Sequence, residues 1–170
     1  MKRILLAVVM VLIFVQIGAQ EQKVDSIRYG KNTIFFELLG RGILYSVNYD
    51  RVMSNYPKHN WASRIGIGYE QTMMWRRFYV PLSVQYIFGT RHCLEIGAGV
   101  TLAFEDDLYT NESSYALDET LMFGIGYRFR SAKTGFFFKA EFLEYLPRYD
   151  HGIPFWGGLG IGYTFRQQTA

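Results

Sequence analysis

The chain has 170 residues, 49% of them hydrophobic and 18% aromatic, with 18 Lys and Arg against 15 Asp and Glu and a formal net charge of +3. So small an excess argues against a dedicated nucleic-acid binder, which needs a strongly basic face. Cys93 is the only cysteine, which excludes an internal disulfide framework and a cysteine zinc cluster, and the length suits one domain.

The first element is a leader. Met1-Lys2-Arg3 is basic, Ile4 to Val15 is apolar without interruption, and Gln16-Ile17-Gly18-Ala19 ends on a small residue. This is the pattern of a secretory signal peptide over 1–19, with cleavage expected after Ala19. The apolar run falls short of the roughly 20 residues a membrane helix needs. The residue directly after the cleavage point is Gln20 and not a cysteine, so a lipoprotein anchor is not expected. Loss of Lys2 and Arg3 from the 18 basic residues leaves 16 against 15 acids, a mature charge of about +1. Residues 20–31 are expected to form a periplasmic lead.

From there the chain alternates with period two, the signature of strands with two unlike faces. Eight runs are predicted. In the first, about 32–39, Ile34, Phe36 and Leu38 oppose Thr33, Phe35 and Glu37. In the second, about 43–51, Ile43, Tyr45, Val47 and Tyr49 oppose Leu44, Ser46, Asn48 and Asp50. The third, about 61–70, sets Trp61, Ser63, Ile65, Ile67 and Tyr69 against Arg64, Gly66, Gly68 and Glu70. The fourth, about 78–88, sets Phe78, Val80, Leu82, Val84, Tyr86 and Phe88 against Tyr79, Pro81, Ser83 and Gln85. The fifth, 93–104, carries Leu94, Ile96, Ala98, Val100, Leu102 and Phe104 on one face and Glu95, Gly97, Gly99 and Thr101 on the other. The sixth, 119–129, opposes Leu121, Phe123, Ile125, Tyr127 and Phe129 to Met122, Gly124, Gly126 and Arg128. The seventh, 136–143, opposes Phe136, Phe138, Ala140 and Phe142 to Phe137, Lys139 and Glu141. The eighth, 155–165, opposes Leu159, Ile161, Tyr163 and Phe165 to Gly158, Gly160, Gly162 and Thr164. Residues 166–170 follow as a short tail.

Eight strands with one strongly apolar face predict an all-β fold, an eight-stranded antiparallel up-and-down transmembrane β-barrel over 32–165, since closure removes exposed edges. Volume decides which face is outside. The interior of an eight-stranded barrel is just wide enough for side chains to fill. The bulky face would overfill it, whereas a face of Gly, Ser and Thr with a few charges fits. The apolar face therefore points outward, into lipid. The repeated Gly-x-Gly at 66–68, 97–99, 124–126 and 158–162 then lines a narrow interior. It is not a phosphate loop, which needs a strand-to-helix turn after its glycines.

Such barrels carry short turns at the periplasmic rim and longer outer loops. With strand one running outward, the outer connections are Gly40–Gly42, Gln71–Arg77, Glu105–Asp118 and Glu144–Pro154. The inner ones are Val52–Asn60, Gly89–His92 and Arg130–Gly135. The orientation also collects an aromatic girdle at the periplasmic rim: Tyr49, Trp61, Tyr86, Phe88, Tyr127, Phe129, Phe136, Phe138, Tyr163 and Phe165. Tyr69, Phe78, Phe104, Phe142 and Phe155 are expected near the outer rim.

Stretches such as Leu44-Tyr-Ser-Val-Asn-Tyr-Asp-Arg51 and Leu94-Glu-Ile-Gly-Ala-Gly-Val-Thr101 resemble the small eight-stranded outer-membrane barrel proteins of diderm bacteria, the OmpA-barrel and OmpX-like class. The resemblance covers essentially all of 32–165 and rests on pattern. It implies a location in the outer membrane. It also implies outer-membrane lipid, lipopolysaccharide and, during insertion, the barrel-assembly machinery as partners, with no nucleic acid and a monomeric state. In that class an aromatic residue closes the last strand and is read during assembly. Tyr163-Thr164-Phe165 is similar, although Arg166–Ala170 extends beyond it.

Seven charges are expected inside as a salt-bridged plug: Glu37, Arg64, Glu70, Glu95, Arg128, Lys139 and Glu141. The competing reading is a gated ion or proton path through the same pairs. His59 and His92 fall in inner turns. His151 lies beside Asp150 in the last outer loop, with Ser113 and Ser114 in the preceding one, so a Ser–His–Asp set for lipid hydrolysis is conceivable, though no local signature supports it. Glu105, Asp106 and Asp107 with Glu112 and Asp118 form an acidic loop whose spacing does not match an EF-hand. Arg76 and Arg77 beside Trp75 are expected to anchor the outer rim or touch lipopolysaccharide phosphates. The expectation is a non-enzymatic barrel with no catalytic residue, cofactor or metal. The alternatives are a lipid-modifying enzyme near His151 and a soluble secreted barrel holding an apolar ligand inside.

Overall fold

The computed structural model describes residues 30–54, 56, 58–73, 75–107, 116–146 and 155–165. The leader and the loop segments carrying Ser113, Ser114, Asp150 and His151 lie outside them. Eight strands follow one another: β1 (Asn32–Leu38), β2 (Tyr45–Val52), β3 (His59–Gln71), β4 (Trp75–Gly89), β5 (His92–Asp107), β6 (Ala116–Arg130), β7 (Phe136–Leu146) and β8 (Phe155–Phe165). Each pairs antiparallel with the next, and β1 pairs with β8 to close the barrel.

Register sets the tilt. Asn32 stands opposite Arg51, and the line runs on through Ser63, Val84, Ala98, Phe123 and Glu144 to Phe155. Continuing the β1–β8 register past Leu38↔Leu159 sets Phe155 level with position 42, ten residues along from Asn32. A stagger of this size goes with strands inclined about 35–45° to the axis.

Period-two alternation becomes inside and outside. On β3, Trp61, Ser63, Ile65 and Ile67 are exposed while Ala62, Arg64 and Gly66 are buried. The exposed face is the apolar one: Ile67 is 66% exposed, Leu159 57% and Val47 55%. A ligand-binding barrel of the soluble kind needs the opposite arrangement, so that alternative is not this structure. The inner face differs from expectation in bulk. Phe35, Phe137, Tyr79, Met122, Ile87 and Gln85 are fully buried among the small residues. They fit because glycine faces them: a Cβ on Gly160 would stand 3.0 Å from the Phe35 ring, and one on Gly97 would stand 2.9 Å from Gln85.

The strand ends also differ. β4, β5 and β6 each run three residues beyond the predicted runs at the far rim, the rim opposite the one where β1 begins and β8 ends. Cross-strand ion pairs continue the ladder there, with Arg76 Nη2 donating to Asp106 at 2.6 Å and Arg77 Nε to Glu105 at 2.6 Å. Phe142, expected at that rim, sits mid-wall opposite Ile125 because β7 continues to Leu146. The connection after β1 is longer than Gly40–Gly42. It spans 39–44, because Leu39 (φ 56°) and Ile43 (φ 67°) take left-handed conformations that end the ladder. Leu44, expected to face inward, is exposed in consequence.

Candidate functional site

The barrel interior is built in layers. At the near rim, where β1 begins and β8 ends, Val52, Ala62, Ile87 and Cys93 form a small apolar cluster. Beside it, the hydroxyls of Thr33 and Thr164 share a hydrogen bond of 2.9 Å. Arg130 donates to the Thr90 carbonyl at 3.0 Å and lies 3.7 Å from the Cys93 sulfur.

Above that floor the strands bring eight charges together. Arg128, on β6, donates through Nε to Glu95 at 2.6 Å and grips Asp50 with both terminal nitrogens, at 2.7 and 3.2 Å. Arg64, on β3, donates to Glu95 at 2.8 Å and Glu141 at 3.4 Å, with Glu37 at 3.6 Å. Lys139, on β7, donates to Glu141 at 2.8 Å and Glu95 at 3.0 Å. Arg41 reaches Glu141 at 3.5 Å. Four acids (Glu37, Asp50, Glu95, Glu141) thus face four bases (Arg41, Arg64, Arg128, Lys139), all with side chains at most 3% exposed. Glu95 is the hub, accepting from three cations. Such neutrality is what an interior of low polarity requires, because a buried charge without a partner carries a desolvation cost of several kcal/mol, on the order of 3–5 when a partner is removed.

Two phenyl rings brace the cations from the side. Phe35 and Phe137 meet at 5.0 Å between centroids, and the guanidiniums of Arg64 and Arg128 lie 5.1 and 5.3 Å from their respective ring centres. β8 runs between the strands that carry these rings, and Gly162 pairs with both Phe35 and Phe137. A side chain there would collide with the Phe35 backbone and Cβ. The glycine stripe of β8 therefore makes the space that the aromatic brace fills.

From the far side, Gly40, Arg41 and Gly42 of segment 39–44 fold inward as a lid. The Arg41 amide donates to Glu37 at 3.2 Å, and Thr101 Oγ1 donates to the Arg41 carbonyl at 2.8 Å. The Arg41 guanidinium lies over the inner face of β5 and β6 where the paired glycines Gly97 and Gly124 leave room, with Nη2 3.4 Å from a Cβ built on Gly97 and 2.9 Å from one built on Gly124. Higher still, Tyr79 donates to Glu70 at 2.8 Å.

Six of the seven charges picked from the sequence therefore converge, and Glu70 stands apart on the far side with Tyr79. Two members were not picked. Asp50 is on the inward alternation of β2 and could have been included on that ground. Arg41 sits in a connection, where period two gives no signal.

At the near rim the outward aromatics form a repeated clamp. The tyrosine hydroxyl of each of three descending strands meets the first residue of the preceding ascending strand: Tyr49 donates to Asn32 at 2.9 Å, Tyr86 meets His59 at 3.0 Å and Tyr127 meets His92 at 2.6 Å. Around them, Trp61 packs on Tyr86 at 5.0 Å, His59 on Phe88 at 4.9 Å, His92 on Phe129 at 5.2 Å and Tyr163 on Phe165 at 5.5 Å. Phe136 and Phe138 continue the row on β7, Phe136 pairing with Tyr163 and lying 6.2 Å from Phe129. His59 and His92 are thus strand-initial residues bonded to tyrosines. Among the described residues, no group of three or more His, Cys, Asp or Glu is placed to hold a metal ion. Asp106 and Glu105 of the acidic segment are engaged by Arg76 and Arg77.

With this geometry in hand, comparison with known proteins gives one solved structure. The fold is similar to that of the N-terminal β-barrel domain of Pseudomonas aeruginosa OprF. The TM-score is 0.53 at 16% sequence identity, over 79% of this chain and 96% of that domain. At that identity the likeness concerns architecture alone. No protein-family model and no curated protein sequence matches the chain.

Proposed function

We propose that this chain is an integral outer-membrane barrel of a diderm bacterium whose role is structural or surface-interacting and non-enzymatic. It would be exported by the leader at 1–19, inserted by the barrel-assembly machinery, and held as a monomer among outer-membrane lipid and lipopolysaccharide. One observation carries the reading: a closed wall whose outer face is apolar and whose inner face is an ion-paired plug. On β5 the outward residues from Leu94 to Phe104 are Leu, Ile, Ala, Val, Leu and Phe, and the next outward residue is Asp106. Those ten residue steps, at about 3.3 Å each and inclined about 40°, span about 25 Å, the height of the apolar band of outer-membrane barrels. Aromatic rows bound it near both ends. Water would not stabilise such a surface, whereas lipid would.

The plug explains why such a wall would not be a pore. The eight charges, the Phe35–Phe137 brace and the inward segment 39–44 fill the bore, so the barrel serves as a sealed scaffold that presents its far-rim loops. Cell fractionation followed by electrophoresis with and without boiling tests the reading. The protein should partition with the outer membrane and change mobility on boiling, as folded barrels do. Recovery in the soluble fraction with one unchanging band would refute it.

A further inference from the structure

Among the described residues the two rims carry opposite charge. At the near rim Arg51, Lys58, Arg91 and Lys133 are exposed and Lys31 is half-exposed. Among the described residues no exposed Asp or Glu stands there. The nearest acid, Asp50, is turned inward and held by Arg128. At the far rim Glu70, Glu105, Asp106, Glu119 and Glu144 outnumber Arg76 and Arg77, which are themselves paired with Asp106 and Glu105. The near-rim cations lie just beyond the clamped aromatic row, and the Arg91 guanidinium stands over the Phe129 ring at 5.2 Å.

Position and charge together identify what this rim meets. Interfacial Tyr, Trp and His rings sit at headgroup depth, so cations immediately beyond them stand at the level of lipid phosphates. Lys and Arg at that level attract anionic headgroups, and guanidinium pairs with phosphate oxygens in a bidentate manner. The tyrosine clamps fix the ring height on three of the four hairpins, so the cations are held at one depth around the barrel.

We propose that the near rim is a binding surface for anionic glycerophospholipid, recognised through its phosphodiester headgroup, in the leaflet that meets the end where β1 begins and β8 ends. This rests on the membrane reading above. The rim would gather a collar of anionic lipid around the end where β1 begins and β8 ends.

Tryptophan reports on the site directly, because Trp61 lies in the near-rim row and is 53% exposed. A W75F/W156F background leaves Trp61 as the sole tryptophan. It is reconstituted in bilayers containing brominated phosphatidylglycerol or brominated phosphatidylcholine, and quenching gives the relative binding constant of the two lipids. Phosphatidylglycerol should be preferred about two- to fivefold, the size of one Lys or Arg contact with an anionic surface. The preference should fall towards one with R51Q/R91Q/K133Q and in high salt, and persist with the far-rim variant R76Q. Equal quenching by both lipids in the parent protein, or a preference untouched by the triple substitution, overturns the collar while leaving the barrel reading intact. No quenching by either lipid overturns the membrane reading itself. If the tryptophan background does not refold, native mass spectrometry of the parent chain and the triple variant, released from mixed micelles of the two lipids, reads the same ratio.

Discussion

Replacing Arg128 with Met keeps an unbranched apolar stem and removes the guanidinium that bridges Asp50 and Glu95. Glu95 retains Arg64 at 2.8 Å and Lys139 at 3.0 Å, but Asp50 keeps only the Nε of Arg64, at 3.8 Å. Three charge-assisted hydrogen bonds vanish, at about 1.5–3 kcal/mol each, a gross loss of roughly 5–9 kcal/mol. Removing the guanidinium's own desolvation cost returns part of this. The net loss should be about 3–5 kcal/mol, the size found when one partner of a buried pair is deleted. Urea unfolding of the refolded protein in lipid vesicles, followed by tryptophan fluorescence, measures it. Asp50→Asn added to the variant removes the orphaned charge, so D50N/R128M should be more stable than R128M alone by at least about 1 kcal/mol. A single variant within 1 kcal/mol of the parent, or a double variant no better than the single one, would show that the interior does not hold its charges as described.

Three further outcomes follow from the same geometry. Gly162→Val should prevent barrel formation, because the new Cβ collides with the Phe35 backbone and Cβ; refolding yield in detergent reads it, and a normal yield would deny the close approach of β8 to β1. Arg41→Ala should cost less than Arg128→Met, about 1–3 kcal/mol, since Glu141 keeps Lys139 and Arg64 and the lid keeps its backbone bonds to Glu37 and Thr101. Equal losses for the two would mean that the lid hangs on its guanidinium alone. In planar bilayers the parent chain should show no steady open conductance; a large stable one would contradict the filled bore.

The period-two pattern disclosed the strands and the two faces because a strand's side chains alternate whatever its neighbours are, so each run could be read alone. Size was a poorer guide. Phe35 sits next to Phe36, and Phe137 between Phe136 and Phe138, so periodicity sends one ring of each run inward. That such rings fit there depends on Gly160 and Gly162 of β8, more than 20 residues from Phe137 and more than 120 from Phe35. Cross-strand register is not written in any one run. Asp50 was legible, one alternation beyond Asn48, but its role appears only when β6 brings Arg128 to it. Arg41 was not legible. It lies between Gly40 and Gly42, and its inward path depends on the left-handed Leu39 and Ile43, conformations that neither residue type favours. Strand ends are not legible where ion pairs rather than apolar residues extend the ladder, as at Arg76 and Asp106.

The most direct test of the central claim is the depth profile of the β5 outer face in a reconstituted bilayer. Single nitroxides at Leu94, Ile96, Ala98, Val100, Leu102 and Phe104, in a background without Cys93, report the ratio of collision with oxygen to collision with a water-soluble nickel chelate. The account predicts a ratio that rises to a maximum near Ala98 and Val100 and falls towards Leu94 and Phe104. A flat profile, with nickel reaching all six positions, would contradict it.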